Sequence, residues 1–310
     1  MTFRNQILHG DALESLIALP DDSIDITVTS PPYNKQKNTF GWLVQTNRYD
    51  NYDDKRPEND YQSWQITVLD ELFRVTKPGG SLFYNHKIRW VDGQLFHPVN
   101  WVSKTNWTFR QEIIWDRSIA ANLRGWRFYQ IDERIYWLYK PINQHLIGKE
   151  LESRHAKMSS IWRFKPVKRR ADHPAPFPLE LAVRAIYSMQ EPSENVLIAD
   201  PFCGTGTTLV AAKLLGYDYF GIDISEEYVK LALGRLKNSE QEREKAEAET
   251  AKHIVKDPYK NRKKRGTVNW PFAPEPKTIN ETPEVSSNLI EPDRNSPDDA
   301  NTTHEGKNQP

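Results

Sequence analysis

The sequence contains a single cysteine, Cys203, in 310 residues. One thiol excludes an internal disulfide framework and a cysteine-based zinc site, as expected in a reducing compartment. An excess of one charge is lacking too. Lys+Arg and Asp+Glu stand at 42 each, so no whole-chain field draws the protein to nucleic acid and any basic footprint must be local. No run approaches the ~18 consecutive apolar residues of a membrane span, and MTFRNQILHGDALESL lacks the unbroken apolar segment of a secretory signal. The expectation is a soluble, cytoplasmic protein with no membrane partner and no metal. Aromatics, in contrast, are plentiful: 10 Trp and 13 Tyr suit surfaces that stack or grip.

The clearest landmark is NVLIADPFCGTGTT, residues 195–208, where an apolar strand enters an Asp-Pro turn and a glycine-spaced loop before the helical LVAAKLLG. YDYFGIDIS then supplies a second strand ending in Asp223, 23 residues after Asp200, close to the ribose-binding spacing of a nucleotide-binding βαβ unit. After the helix EEYVKLALGRLKN the chain turns polar, so the other parallel strands must come from the N-terminal side, in permuted order. Candidates are RNQILHG, IDITVTS after the helix ALESLIAL, and GSLFYNH after YQSWQITVLDELFRVTK and its Lys-Pro-Gly-Gly stop. RQEIIWDR and RIYWLYK follow as outer strands. Beyond Ser239 come a charged helical stretch, the run KNRKKR, and about 35 final residues whose composition predicts disorder.

In DPFCGTGTT, Gly204 and Gly206 let backbone N–H groups approach a ligand at a helix N-terminus. The loop lacks the Lys-Ser/Thr of a phosphate-binding P-loop, so a ligand with a ribose and no phosphates fits better than ATP. A plain strand-to-helix turn is the competing explanation.

With these motifs the chain resembles the S-adenosylmethionine-dependent amino methyltransferases of DNA, in the permuted β group where the catalytic motif precedes the cofactor motif. The resemblance covers residues 5–237. It implies a doubly wound, mostly parallel, seven-stranded Rossmann-like α/β sheet, circularly permuted, with an inserted target-recognition segment. It divides the chain into a catalytic half (1–117), a target-recognition segment (118–171), a cofactor-binding half (172–237) and a charged helix with a tail (238–310). By the same likeness Asp200, Pro201, Phe202, Cys203, Gly204, Thr205 and Gly206 face the methionine part of the cofactor, Asp223 holds the ribose hydroxyls, and Asp11 with Ala12 meets the adenine. Asp11 also reads as an ordinary helix N-cap before ALESLIAL. HPAPFP, residues 173–178, matches the family's cofactor-wall segment loosely, lacking its Thr and Lys; Phe177 is expected to pack apolar surface.

The strand IDITVTS delivers Ser30, Pro31, Pro32 and Tyr33 to its C-terminal end, where open α/β sheets place their ligand crevice. An exocyclic amino group is a poor nucleophile because its lone pair is delocalised into the ring. Acceptors aimed at its two protons localise that pair. Ser30 Oγ and the Pro31 carbonyl, fixed by two successive prolines, are suited to this, and Tyr33 to stacking on the base. The base must be flipped out of the duplex, at a cost of roughly a few kcal/mol. A rigid strand-end turn with incidental Ser and Tyr is the bland alternative. Family members with Ser first are often cytosine-N4 enzymes, which favours that base; adenine-N6 stays open.

Between Lys104 and Arg170 there are 15 Lys/Arg against 6 Asp/Glu, interleaved with aromatics. Arg124, Arg127, Arg163, Lys168, Arg169 and Arg170 are the expected contacts to double-stranded DNA, while Trp115 and Trp137 read as buried sheet residues. Residues 34–60 read as a polar loop placed to close over a flipped base or simply to move. A restriction endonuclease acting on the same site is the partner such an enzyme would have. The competing readings are an RNA or protein-glutamine methyltransferase and a non-catalytic nucleic-acid-binding module.

Overall fold

The computed structural model describes residues 3–34, 56–119, 125–143, 158–167, 177–190, 195–253 and Gly266. In chain order they form β1 (Gln6–His9), α1 (Ala12–Ile17), β2 (Ile24–Thr29), α2 (Glu58–Val75), β3 (Thr76–His86), the hairpin β4 (Arg89–Val91) and β5 (Gln94–Phe96), α3 (Val99–Val102), β6 (Thr108–Asp116), β7 (Asp132–Tyr139) and β8 (Ile161–Arg163). Next come α4 (Leu179–Met189), β9 (Leu197–Asp200), α5 (Thr207–Leu214), β10 (Asp218–Asp223), α6 (Glu226–Lys237) and α7 (Arg243–His253). All lie in one compact unit, Met1–Gly266. The terminal tail and KNRKKR fall outside the described residues.

The main sheet runs β1-β10-β9-β2-β3-β7-β6-β8. Its first five strands are parallel, β7 is antiparallel to both β3 and β6, and β8 is parallel to β6. The permuted, doubly wound arrangement is therefore present, with β9 in the middle of the five parallel strands although it comes late in the chain. Two expectations are corrected. The sheet has eight strands rather than seven; the extra one is the three-residue β8, too short to show a strand period. RIYWLYK is also not an outer strand. Ile135 to Tyr139 are all buried, and this continuous apolar run sits between β3 and β6 as an interior strand.

Strand alternation divides the interior into two layers. Phe83, Ile135 and Trp137 join α4, α5 and the ring of Trp162 on one face. Leu82, Tyr84, Tyr136 and Leu138 join α1, α2 and Trp101 on the other. Trp115 and Trp137 are buried as expected, and so is Phe177.

The helix α2 ends at Val75, just before Lys-Pro-Gly-Gly, but the following strand starts earlier than GSLFYNH. Thr76 caps α2, its hydroxyl donating to Leu72 O at 2.6 Å, and β3 already begins there. The extra residues form an irregularity in the β2–β3 pairing, between Ile24↔Thr76 and Ile26↔Ser81, with Gly79 at φ +86°. The polar segment expected from Asn34 to Asp60 is likewise cut short by α2 at Glu58, and its residues 35–55 lie outside the described chain.

Candidate active site

Four neighbouring parallel strands, β1, β10, β9 and β2, end side by side, and each carboxyl end carries one of the residues singled out by the sequence. Asp11 follows β1, Asp223 closes β10, Asp200 closes β9, and Ser30 follows β2. Local chemistry fixes each one. Asp11 caps α1, Oδ1 accepting from Leu13 N at 2.8 Å and Glu14 N at 3.1 Å, so the N-cap reading holds. Ala12 is buried behind it. Asp223 accepts from Gly204 N at 2.8 Å and Ser225 N at 2.9 Å, tying the glycine loop to the adjacent strand end. Burial raises its carboxyl above the usual range.

The loop itself depends on backbone that side chains resist. Gly204 and Gly206 have φ of +50° and +77°, and a Cβ on Gly206 would stand 3.0 Å from Ala232 Cβ in α6. Pro201 and Cys203 are buried, and the Cys203 thiol, pushed up by burial, packs beneath Gly221. Only the backbone of Cys203 is therefore suited to meet a ligand. Phe202 is partly exposed and lies edge-on to Trp64, with ring centroids 5.8 Å apart.

Asp200 is 1% exposed and fully engaged. Thr29 Oγ1 donates to Oδ1 at 2.7 Å, Thr208 Oγ1 approaches Oδ2 at 2.9 Å, and Phe202 N donates to Oδ1 at 3.1 Å. Its side chain thus reaches no ligand directly. It couples the residue preceding Ser30 to the glycine loop and to the start of α5. Burial outweighs these hydrogen bonds and lifts its carboxyl from 3.8 to about 7.

That elevation sets the sign of a pH effect. A carboxyl that binds its proton more tightly folded than unfolded adds most stability below pH ~4, and the contribution is lost as pH rises through ~7, to a total on the order of 4 kcal/mol. Urea unfolding of the wild type and Asp200→Asn between pH 4 and 8 should show the wild type losing stability relative to the variant across that window. A constant difference would mean that Asp200 ionises normally.

After β2, Pro31 is buried, Ser30 and Tyr33 are partly exposed, and Tyr33 packs against His86 with centroids 4.7 Å apart. Ser30 Oγ lies 2.7 Å from Tyr33 Oη, which donates to Glu133 Oε2 at 3.0 Å. Asn85 Nδ2 reaches Tyr33 Oη, Glu133 Oε2 and Ser30 Oγ at 2.7, 3.1 and 3.3 Å. From below, Tyr61 Oη contacts Pro32 O at 2.7 Å and His86 Nε2 at 2.6 Å, and Gln65 Nε2 donates to Tyr61 at 3.0 Å. Burial and the nearby Arg89 guanidinium keep His86 neutral by depressing its pKa well below the usual value. Beyond the turn, Asn34 stands at φ +52° and pairs reciprocally with Arg56, binding the two residues that flank 35–55.

Sequence reasoning missed Thr29, Asn85, Glu133, Tyr61 and His86. Glu133 did leave a signal, lying in the charged Asp132-Glu133-Arg134 that precedes the apolar run of β7. The others lie on β2, β3 and α2 and meet only when those elements pack together.

Among the described residues, several of the basic side chains between Lys104 and Arg170 are engaged within the fold. Arg134 pairs with Glu112 and Asp132, Lys140 with Asp22, and Arg117 with Glu133, while Arg110 lies over the Trp137 ring at 4.2 Å. Arg163 stands at the carboxyl end of β8 with its side chain 68% exposed, 3.3 Å from Asp116, and Arg127 covers the Trp90 ring at 4.2 Å. Trp126, Phe128 and Tyr129 project beside it, Phe128 at 97% exposure. Arg124, Lys168, Arg169 and Arg170 lie outside the described residues. Among the described residues no helix is long and apolar enough to cross a membrane.

The DNA methylase family of N6/N4 type matches residues 24–234. Type II methyltransferase M.HinfI of Haemophilus influenzae is 30% identical over 258 residues, covering 76% of this chain and 69% of that protein. The DNA adenine methyltransferase YhdJ of Escherichia coli strain K12 is 26% identical, covering 74% and 82%. Among solved structures, Thermus thermophilus TTHA0409 complexed with S-adenosyl-L-methionine is 26% identical, covering 75% of this chain and 95% of that one, with a TM-score of 0.55. The cytosine-N4-specific PvuII DNA methyltransferase shares the fold at 18% identity, with 81% and 93% coverage and a TM-score of 0.60. With a family match spanning both the catalytic turn and the glycine loop, the chain belongs to the N6/N4 DNA methylases.

Proposed function

We propose that this protein transfers a methyl group from S-adenosylmethionine to the exocyclic amino nitrogen of a flipped DNA base, with cytosine N4 as the acceptor. The observation that carries the reading is the hydrogen bond from Thr29 to Asp200, which joins the turn that would hold the base to the loop that would hold the methyl donor. The residues suit that cofactor. Carboxylates of Asp11 and Asp223 at adjacent strand ends can accept from an amine and a ribose diol, and Gly204 and Gly206 give close backbone approach. When bound, the cofactor supplies an electrophilic methyl on a positively charged sulfur, and the neighbouring acidic strand ends favour that charge.

The chain's own part is positional. Ser30 Oγ and the Pro31 carbonyl would accept from the two amino protons, Tyr33 would pack on the ring, and Asp200 would hold the two motifs in register. Arg127, Arg163 and the exposed aromatics at Trp126, Phe128 and Tyr129 flank the carboxyl edge beside Glu133 and would face the duplex. Arg124 and Lys168 to Arg170 would extend that surface, and residues 118–171 would carry target recognition although they also supply β7 and β8. Restriction-modification is the setting we propose, with a nuclease acting on the same site as partner.

The hydroxyl of Ser30, where many adenine enzymes of this resemblance carry a carboxylate, supports cytosine. The relationship to YhdJ supports adenine N6 as the second reading. Incubation with unmethylated DNA and methyl-labelled S-adenosylmethionine, followed by digestion to nucleosides and mass spectrometry, separates them. N4-methylcytosine is the expected product; N6-methyladenine would overturn the choice of base.

A further inference from the structure

Transfer of a methyl cation to a neutral amine leaves a proton to be removed, and Ser30 is a hydroxyl, unable to keep one. The side chains behind it resolve this difficulty. Glu133 is 6% exposed, and Arg117 pairs with it through Oε1, holding Oε2 toward Tyr33. An ionised carboxylate only accepts and the Asn85 amide nitrogen only donates, so the protons along the line have one consistent direction. The Tyr33 phenol donates to Glu133 at 3.0 Å, and the Ser30 hydroxyl donates to the Tyr33 oxygen at 2.7 Å. A Ser30 lone pair is thereby turned outward, toward where an amino group would sit.

We propose that Glu133 is a positioning residue and the proton terminus of this site, acting through Tyr33 and Ser30. The inference rests on the methyl-transfer reading and deepens it. As the amine nitrogen bonds to the methyl carbon, the pair of the broken carbon–sulfur bond stays on sulfur and the nitrogen becomes cationic. The nitrogen then releases one proton to Ser30 Oγ, the Ser30 proton moves to Tyr33 Oη, and the Tyr33 proton moves to Glu133 Oε2. Serine and tyrosine end unchanged, Glu133 ends neutral beside Arg117, and its proton passes to solvent before the next turnover. Before transfer the same line commits the Ser30 proton to Tyr33 and leaves Ser30 an acceptor toward the amine, which is what localising the amine lone pair requires. A serine thus works where related enzymes use a carboxylate because the carboxylate stands two side chains further back, on β7.

The test uses the full chain with unmethylated DNA and S-adenosylmethionine, comparing wild type with Glu133→Gln, Tyr33→Phe and the double variant in single turnover. Removing a positioned proton acceptor is expected to slow the chemical step by about 100-fold. Dissociation constants for DNA and cofactor should stay within about twofold in Glu133→Gln. Because all three variants break one line, the double variant should be no slower than the slower single variant. Wild-type rates in Glu133→Gln overturn the proposal, as does parallel loss of binding and rate, which marks a structural role. Multiplying effects in the double variant overturn it as well. Should Glu133→Gln unfold, Tyr33→Phe decides alone, since it leaves the Arg117–Glu133 pair in place: a wild-type rate there overturns the line. A wild type that transfers no methyl to DNA overturns the methyl-transfer reading itself.

Discussion

Ser30→Ala lowers the single-turnover rate of methyl transfer by on the order of 10²–10³-fold, the size expected when one preorganised group facing the reacting centre is removed. The reason lies in what the hydroxyl does. It is the side-chain acceptor of the turn after β2, its own proton is directed toward Tyr33 at 2.7 Å, and the Pro31 carbonyl alone cannot hold both amino protons. Alanine fits the backbone, and the Thr29–Asp200 and Tyr61–Pro32 contacts that place the turn do not involve the lost atom. Stability and cofactor affinity should therefore stay near wild type. A rapid-quench assay with a saturating cofactor concentration checks this, and an undiminished rate would remove Ser30 from the chemistry.

Arg184→Met destabilises the protein by about 3–5 kcal/mol, the range for breaking one side of a buried ion pair. Arg184, 8% exposed on α4, donates from Nε to Glu249 Oε1 at 2.7 Å, and Glu249 on α7 is 0% exposed. Methionine fills much of the volume and leaves the carboxylate without its guanidinium. The guanidinium also lies 4.3 Å from the Phe164 ring centroid, beside Trp162 of β8, so the substitution loosens the sheet edge that carries Arg163. Thermal unfolding should fall by on the order of 10 °C. Arg184→Met combined with Glu249→Leu should recover most of the loss, since replacing both charges leaves nothing buried and uncompensated. If the double variant is as unstable as the single one, packing rather than charge explains the effect.

Much of this molecule is legible in its sequence, for identifiable reasons. LIAD, DYFGID and IDITVT announce themselves because strands buried in a parallel sheet read as short apolar runs, and each ends in a turn whose Asp, Gly or Pro has a backbone task. Gly206 is readable because its φ of +77° against Ala232 tolerates little else. The Asp200 side chain is a different matter. Its sequence position marks a cofactor loop, yet its carboxylate turns inward, to the nearby Thr208 and to Thr29, a partner more than a hundred residues away that no local pattern encodes. Glu133 and Asn85 meet Tyr33 only because β7 enters the sheet beside β3, pairing Asn85 with Ile135. A count of basic residues does not by itself separate surface from interior: Arg134, Lys140 and Arg117 find acidic partners contributed by other elements or by the next strand. Charge counted along a chain is not charge presented to solvent.

The measurement that bears most directly on the account is transfer of a tritium-labelled methyl group from S-adenosylmethionine to unmethylated DNA, run in parallel with the wild type and Ser30→Ala. The account predicts label in DNA with the wild type and, at equal times, at least about 100-fold less with the variant. A wild type that leaves DNA unlabelled, or a variant that labels it equally well, would contradict it.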